Sequence, residues 1–334
     1  MAGRVTAPLE PQMRVKNLSK SFAVSRSLID WATGKPLPLL RALNDVSFEV
    51  AKGETLGIVG ESGCGKSTLA RCLVRLHEVD QGEIVFDGQN ALTHSGEARR
   101  RYNRSVQMVF QDPNGSLNPR MTVGECIGEA LSVHAVVPRD QIAARVRALL
   151  DLVKLPTDAA NRRPHEFSGG QRQRIAIARA LAVEPACLIA DEPLSALDVS
   201  VQAQIVNLFL ELQARLGLTL VFITHDLRLV RHVAHRVAVM YLGHIVEIGP
   251  AQELFAAPRH PYTQGLIASV PQLEPKRLGA REAVVGEVPS ALAPPPGCAF
   301  HPRCPKAAEP CRVEAPALEG RGGAWPVACH FAGG

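Results

Sequence analysis

One octapeptide constrains this chain more than any other feature. Gly60-Glu61-Ser62-Gly63-Cys64-Gly65-Lys66-Ser67 has the spacing G-x-x-x-x-G-K-[ST]; it follows the apolar run Leu56-Gly57-Ile58-Val59 and opens a helix-forming stretch. Glycines let the backbone curl until successive N–H groups point inward, and the helix N-terminus adds the positive end of its dipole. Such a cradle suits phosphate. Lys66 is placed to reach the β- and γ-phosphates of a nucleotide and Ser67 to ligate Mg²⁺, with Thr68 following in the first helical turn.

The rest of the body agrees with a strand–loop–helix unit. Short apolar strands are expected at 55–59, 83–86, 106–110, 186–190, 219–224, 237–241 and 244–248, and helices at about 66–76, 122–134, 139–152, 170–183, 201–216 and 227–234. Fully apolar strands suit a sheet covered on both faces, and the alternation with helices implies an α/β core. Two consecutive helices between 122 and 153 interrupt the alternation and suggest a helical insert. Residues 23–41, with Pro36 and Pro38, read as a loop insertion.

A second phosphate-related element ends an apolar strand. In Ala186-Cys187-Leu188-Ile189-Ala190-Asp191-Glu192, alternation along the strand sends the two carboxylates in different directions. Asp191 can then hold the Mg²⁺ shell while Glu192 faces a water and orients or deprotonates it.

Phe167-Ser168-Gly169-Gly170-Gln171 precedes an Arg/Ala-rich helix. With the two motifs above, it resembles the signature of ATP-binding-cassette (ABC) ATPases. Ser168 and the Gly169 and Gly170 amides cap a helix N-terminus, forming a second cradle; the resemblance implies that it faces ATP held by another subunit. Gln171 completes the motif, with Phe167 where the family usually has Leu. The resemblance further implies roles for Gln111 (a Q-loop residue sensing Mg²⁺ and the membrane partner), Ser195-Ala196-Leu197-Asp198 (a D-loop) and His225 (a γ-phosphate switch). Phe22 resembles the aromatic that stacks on adenine, with Trp31 as the competitor.

The match narrows to the oligopeptide/dipeptide importer branch. It rests on Ser116-Leu117-Asn118-Pro119-Arg120-Met121-Thr122-Val123, on Glu192-Pro193-Leu194-Ser195 through Gln204, on His260-Pro261-Tyr262-Thr263 and on Cys298-Ala299-Phe300-His301-Pro302-Arg303-Cys304-Pro305. Leu194, where many relatives carry Thr, resembles the second, F-type ATPase subunit. The resemblance implies an ABC domain over 1–258, with a helical subdomain at about 112–183, and a C-terminal extension over 259–334. It implies an ATP-hydrolysing motor working with a second ATPase subunit in a heterodimer, two transmembrane permease subunits and an external substrate-binding protein, at the cytoplasmic face of the inner membrane. Dipeptides and oligopeptides lead as cargo; glutathione and nickel importers share the motifs.

The extension is set apart by composition. Nine of the 25 prolines lie between Pro289 and Pro326, and Cys298, Cys304, Cys311 and Cys329 all fall there. Such a tail cannot build an ordinary core, so it is expected to be loosely ordered or held by a metal. Its C-x₅-C-x₆-C-x₁₇-C spacing departs from zinc ribbons; four thiolates can hold Zn²⁺ or an iron–sulfur cluster, or pack incidentally. The resemblance favours a [4Fe–4S] cluster over zinc. Cys64, beside Lys66 and a helix N-terminus, is expected to have a lowered thiol pKa, so that bulky thiol reagents block hydrolysis and MgATP protects.

Composition excludes other classes. Aromatics are only 4%, too few for a single-stranded nucleic-acid stacking platform. The formal charge of +5 is mild, so Arg99-Arg100-Arg101 with Arg104 reads as a solvated face and no nucleic-acid partner is expected. No apolar run reaches the ~18 residues needed to span a bilayer, and the N-terminus lacks a signal-peptide core; a cytoplasmic chain with thiols rather than disulfides is expected. A soluble ABC ATPase acting on DNA or ribosomes is disfavoured by the single cassette and the absence of heptads.

Overall fold

The computed structural model describes residues 11–24, 39–195, 197–269, 286–320 and 325–332. Two sheets form the body. Strands β1 (Pro11–Ala23), β2 (Leu39–Ala51), β4 (Gln81–Phe86) and β5 (Gln89–Asn90) make an antiparallel sheet in the order β2-β1-β4-β5. The larger sheet adds β3 (Thr55–Val59), β6 (Val106–Val109), β7 (Cys187–Asp191), β8 (Thr219–Ile223), β9 (Arg236–Tyr241) and β10 (His244–Pro250) in the order β10-β9-β3-β8-β7-β6. Its inner pairs are parallel, and β10 returns antiparallel to β9.

The larger sheet is buried on both faces, and alternation along each strand separates two cores. Leu188, Ala190, Leu220, Phe222, Val237 and Val239 face one cluster. Cys187, Ile189, Val221, Ile223, Ala238 and Met240 face the other, shared with the antiparallel sheet and with helix α1 (Lys66–Leu73). This is why those strands read as unbroken apolar runs.

Helix α2 (Gly96–Ser105) and the hairpin β1–β2 were not expected from the sequence. The hairpin's register slips at Val15/Leu18, Leu18/Lys20 and Lys20/Ser21, which breaks the period-two pattern that signals a strand. Its pairing runs out to Ala23 opposite Leu39, so both ends of the expected loop insertion are strand. Residues 25–38, including Trp31, lie outside the described residues. The arginines of α2 are solvent-facing at Arg99, Arg100 and Arg101, while Arg104 bonds the Val183 carbonyl at 3.0 Å.

The helical insert contains α3 (Val123–Val133) and α4 (Ile142–Leu152). Thr122 and Glu125 form a reciprocal capping box at the start of α3, satisfying two end amides. Both helices pack against α5 (Gly169–Leu181) through Ile127, Leu131, Val146, Leu149, Leu150 and Ile175. Helix α6 (Val199–Leu216) ends at Gly217, whose φ of 64° supplies the left-handed cap. Then come α7 (Leu227–Val233), α8 (Ala251–Ala256), α9 (Pro261–Ala268) and, in the extension, α10 (Glu309–Val313).

The described residues of the extension pack against the body rather than forming a unit by themselves. They borrow the body's core. Phe300, 2% exposed, sits among Tyr241, Tyr262 and His260 with ring centres 5.2, 5.3 and 5.7 Å away. Trp325 donates its indole N–H to Glu247 at 2.9 Å, and Val327 bridges to Glu247 of β10. The fully buried Glu247 carboxylate also accepts the Arg259 and His260 amides at 2.9 and 3.0 Å. Burial lowers the His260 pKa to about 3, so its ring is neutral and accepts the Tyr262 amide at 3.0 Å. The expectation of a loosely ordered tail is corrected for its described residues: aromatic packing and a satisfied buried carboxylate seat them against the body.

Candidate nucleotide site

Parallel strands all end on the same side, so residues following β3, β6, β7 and β8 meet there although they are far apart in sequence. The loop 60–65 follows β3 and leads into α1. Gly60 and Gly65 have φ of 159° and 106°. A Cβ on Gly60 would lie 2.2 Å from the Met240 carbonyl oxygen, and one on Gly65 would lie 2.3 Å from that of Ala42. Only glycine fits between these backbones.

Lys66 is buried at 4% exposure, and its Nζ donates to the carbonyls of Gly60 and Glu61 at 2.8 and 2.9 Å. It lies 4.0 Å from Glu192 Oε1. Ser67 donates its hydroxyl to Asp191 Oδ1 at 3.0 Å. Burial raises the Asp191 pKa, opposed by that hydrogen bond. These adjacent hard oxygens fit a magnesium ion. Thr68 is half-buried one position on.

Glu192 stands at the centre. Its φ of 44° is in the left-handed region, sparsely used by residues with a Cβ. Its amide donates to the Ile223 carbonyl at 2.9 Å, holding the bend just past β7. The bend aims the carboxylate at three groups: Lys66, Gln111 Nε2 at 3.4 Å and His225 Nδ1 at 3.2 Å. Gln111 follows β6 and His225 follows β8. The largely exposed His225 closes the open side.

Ser168 caps α5 in a reciprocal box with Gln171, accepting that residue's amide at 3.4 Å. Ser168 is exposed and Gly169 partly so. Cβ atoms at Gly169 and Gly170 would meet Leu197 at 3.2 Å and Val201 at 2.4 Å. Asp198, exposed, is the N-cap position of α6, beside the 79%-exposed Val199. Ser168 and Asp198 are thus both exposed, while Gly169 and Gly170 pack against Leu197 and Val201 on either side of Asp198.

Phe22 packs edge-on against His77 at 5.2 Å, with the Lys20 ammonium 5.4 Å from its ring centre. Cys64 departs from expectation. It is 3% exposed, and burial raises its pKa, outweighing the Lys66 charge. The expectation of a reactive thiol open to bulky reagents is therefore corrected: the side chain points into the packing under the loop, 3.8 Å from Lys66 Nζ.

The four tail cysteines gather. Cys298 lies within electrostatic reach of Cys304, Cys311 and Cys329, and burial raises its pKa to about 11. Cys298, Cys304 and Cys329 each accept a backbone hydrogen bond from the residue two further on: Phe300, Lys306 and Phe331. As placed, no three Cys, His, Asp or Glu groups among the described residues converge tightly enough to hold a metal ion.

Sequence reasoning missed two contacts to Glu61. Its amide donates to the Tyr262 hydroxyl at 2.9 Å, and its carboxylate receives both terminal nitrogens of Arg303 at 2.7 and 2.9 Å. Both partners lie about 200 residues downstream, beyond any local pattern.

A phosphate loop ending in a buried lysine, a Ser–Asp pair and a glutamate aimed across them define a P-loop ATPase of the cassette class, with a second cradle on another helix. The chain belongs to the ABC transporter family: residues 43–195 match that family, and residues 246–311 match the oligopeptide/dipeptide transporter C-terminal region. It is 49% identical over 318 residues to the probable peptide ABC transporter ATP-binding protein y4tS of Sinorhizobium fredii, covering 95% of this chain and 89% of that one. It is 46% identical over 320 residues to the dipeptide transport ATP-binding protein DppF of Escherichia coli, covering 96% and 94%. A dimeric post-hydrolysis structure of the ATP-binding cassette MJ0796 bound to ADP and Pi superposes with a TM-score of 0.62 at 28% identity, over 72% of this chain and 98% of that one. The structure of cbiO1 from Clostridium perfringens, part of the ABC transporter complex cbiONQ, gives 0.62 at 29% identity, over 74% and 91%.

Proposed function

We propose that this chain is the ATP-hydrolysing motor of an importer for dipeptides or oligopeptides. The observation that carries the reading is the meeting of Glu192 with Lys66, Gln111 and His225 beside the phosphate loop. The names of the relatives supply the cargo class.

Glu192 orients or deprotonates the attacking water, and Lys66 neutralises charge developing on the γ-phosphate. His225 holds Glu192 and contacts the γ-phosphate. Ser67, Asp191 and Gln111 hold magnesium, which when bound offsets phosphate charge. Phe22 stacks on adenine. Ser168, Gly169, Gly170, Gln171 and Asp198 meet the nucleotide of a facing subunit; the exposed cap of α5 and the exposed Val199 support this.

The facing subunit is a second, different ATPase. ATP-driven closure moves the helical insert against two permease subunits at the cytoplasmic face of the membrane, with an external binding protein delivering cargo. No helix among the described residues is long and apolar enough to cross a membrane, which leaves the pore to partners. We place the boundary between the ATPase domain, 1–258, and the extension, 259–334. A tagged pull-down from gently solubilised membranes tests the assembly: two polytopic proteins and a second ATPase are expected, and recovery of soluble proteins alone refutes it.

The tail cysteines are proposed as ligands of an iron–sulfur cluster, zinc being the lesser alternative. Burial raises the pKa of Cys298, Cys304 and Cys329, amide hydrogen bonds to the three sulfurs oppose it, and the four thiols must draw closer to bind. Anaerobically purified protein is expected to carry iron that Cys304→Ser loses. Protein with neither iron nor zinc refutes a metal site.

A further inference from the structure

The phosphate loop carries an acid of its own. Glu61 is its second residue, and its carboxylate would repel a triphosphate arriving in the same loop. From the contacts around it we propose that Arg303, in the C-terminal extension, is a positioning residue of the ATP site. It neutralises Glu61 and holds it turned away from the phosphates. This rests on reading the loop as an ATP site.

Glu61 is held at three points. Its amide donates to the Tyr262 hydroxyl at 2.9 Å, its carbonyl accepts from Lys66 Nζ at 2.9 Å, and its carboxylate takes the two-pronged Arg303 guanidinium at 2.7 and 2.9 Å. The two side chains differ in exposure: Arg303 is 5% exposed and Glu61 27%. The cation is fixed inside the protein, and the acid sits at the mouth of the site. The pairing raises the Arg303 pKa, so its charge is permanent.

The guanidinium has little freedom. It lies 5.8 Å from the Tyr241 ring centre. Arg303 ends a short 3₁₀ turn, His301–Arg303, whose start is anchored by Phe300 among Tyr241, Tyr262 and His260. A planar fork held this way matches a carboxylate in both distance and direction, which a lysine ammonium cannot do. Tyr262, the other contact to Glu61, comes from α9, so two separate segments beyond β10 converge on one loop residue.

The consequence is specific to charge. If Arg303 is lost while Glu61 stays, an uncompensated anion is left beside the phosphates. If both are neutral, the repulsion is gone as well. A purely structural brace would behave differently, because removing both partners would damage the loop at least as much as removing one.

The test is a four-cornered cycle of wild type, Arg303→Gln, Glu61→Gln and the double variant, all in the full chain. Binding of a fluorescent N-methylanthraniloyl ATP is titrated without magnesium, so that no turnover occurs, and thermal melting checks the fold. Arg303→Gln is expected to weaken binding about tenfold, the lower part of the range for exposing one member of a charge pair because Glu61 is partly solvated. Glu61→Gln alone should tighten binding, and the double variant should recover most of the tenfold loss. The proposal is overturned if Arg303→Gln binds like wild type, or if the double variant stays as weak as Arg303→Gln. If Arg303→Gln fails to fold, Arg303→Lys takes its place: lysine keeps the charge without the fork, so binding within about threefold of wild type, or a larger loss that adding Glu61→Gln restores, supports charge compensation, and a larger loss that persists in that double variant overturns it. A wild-type chain that binds no ATP contradicts the ATP-site reading itself, a different result from any of these.

Discussion

Glu192→Gln is expected to keep ATP and lose its hydrolysis. The amide is nearly the same size as the carboxylate, so the bend at φ 44° and the bond from the Glu192 amide to the Ile223 carbonyl survive. The phosphate cradle is untouched, because Lys66 holds Gly60 and Glu61 through their carbonyls rather than through Glu192. The missing element is the charge that orients and deprotonates water. Removing a general base costs about 10²–10⁴ in rate. Single-turnover hydrolysis measures this directly. With ATP loaded and not consumed, the variant should also elute as a dimer in size-exclusion chromatography with MgATP, alone or with the second ATPase proposed above. Wild-type turnover by Glu192→Gln would remove Glu192 from the chemistry.

Lys66→Ala should fail one step earlier. Its ammonium is buried at 4% exposure and spans two loop carbonyls and, at 4.0 Å, the Glu192 carboxylate. Alanine deletes the cation that faces the phosphates and leaves those carbonyls without their donor. A hydrogen bond to a charged group is worth about 1.5–3 kcal/mol, so ATP affinity should drop about 10- to 100-fold. Hydrolysis at saturating ATP should fall by roughly a further 10²–10³, the usual loss when one preorganised charge stabiliser is removed. Titration with fluorescent ATP and single-turnover kinetics separate the two effects. The pair of variants divides the site: Glu192→Gln binds without cleaving, and Lys66→Ala barely binds. Wild-type ATP affinity in Lys66→Ala would contradict the role given to the lysine.

Much of the larger sheet was legible in the sequence. Its strands are buried on both faces, so they appear as unbroken apolar runs such as Leu218 to Thr224, and their predicted limits fall within about one or two residues of those found. The helices of the insert were legible too, because Thr122 and Glu125 mark a start and the apolar spacing carries through α3 and α4. The hairpin β1–β2 was not. Bulges at Val15/Leu18 and Leu18/Lys20 shift which side chains face inward, and a shift of one position erases the alternation a reader looks for. The seating of the tail was also hidden. Prolines and isolated cysteines suggest weak order when taken alone, whereas Phe300, Trp325 and Val327 are anchored only because Tyr241 and Glu247 of the body receive them.

The chemistry of Cys64 shows where local reasoning stops. Neighbouring charge and a helix end argue for a reactive thiolate, and both act on it. Burial acts more strongly, and burial depends on what packs beneath the loop.

By itself the sequence determined the elements whose cause is local. Glycine spacing specifies a loop that can wrap phosphate, an apolar run ending in Asp191-Glu192 specifies a strand that delivers two carboxylates, and Ser168 with Gln171 specifies a helix start. Backbone geometry and hydrogen-bonding capacity act over a few residues, so they can be read a few residues at a time. Tertiary structure decided everything that depends on distance through space. It brought Gln111, Glu192 and His225 within hydrogen-bond reach at the ends of adjacent parallel strands, buried Cys64, and set Arg303 against Glu61 across 242 positions of chain. Electrostatics and desolvation follow spatial separation and burial, which no spacing in the sequence encodes.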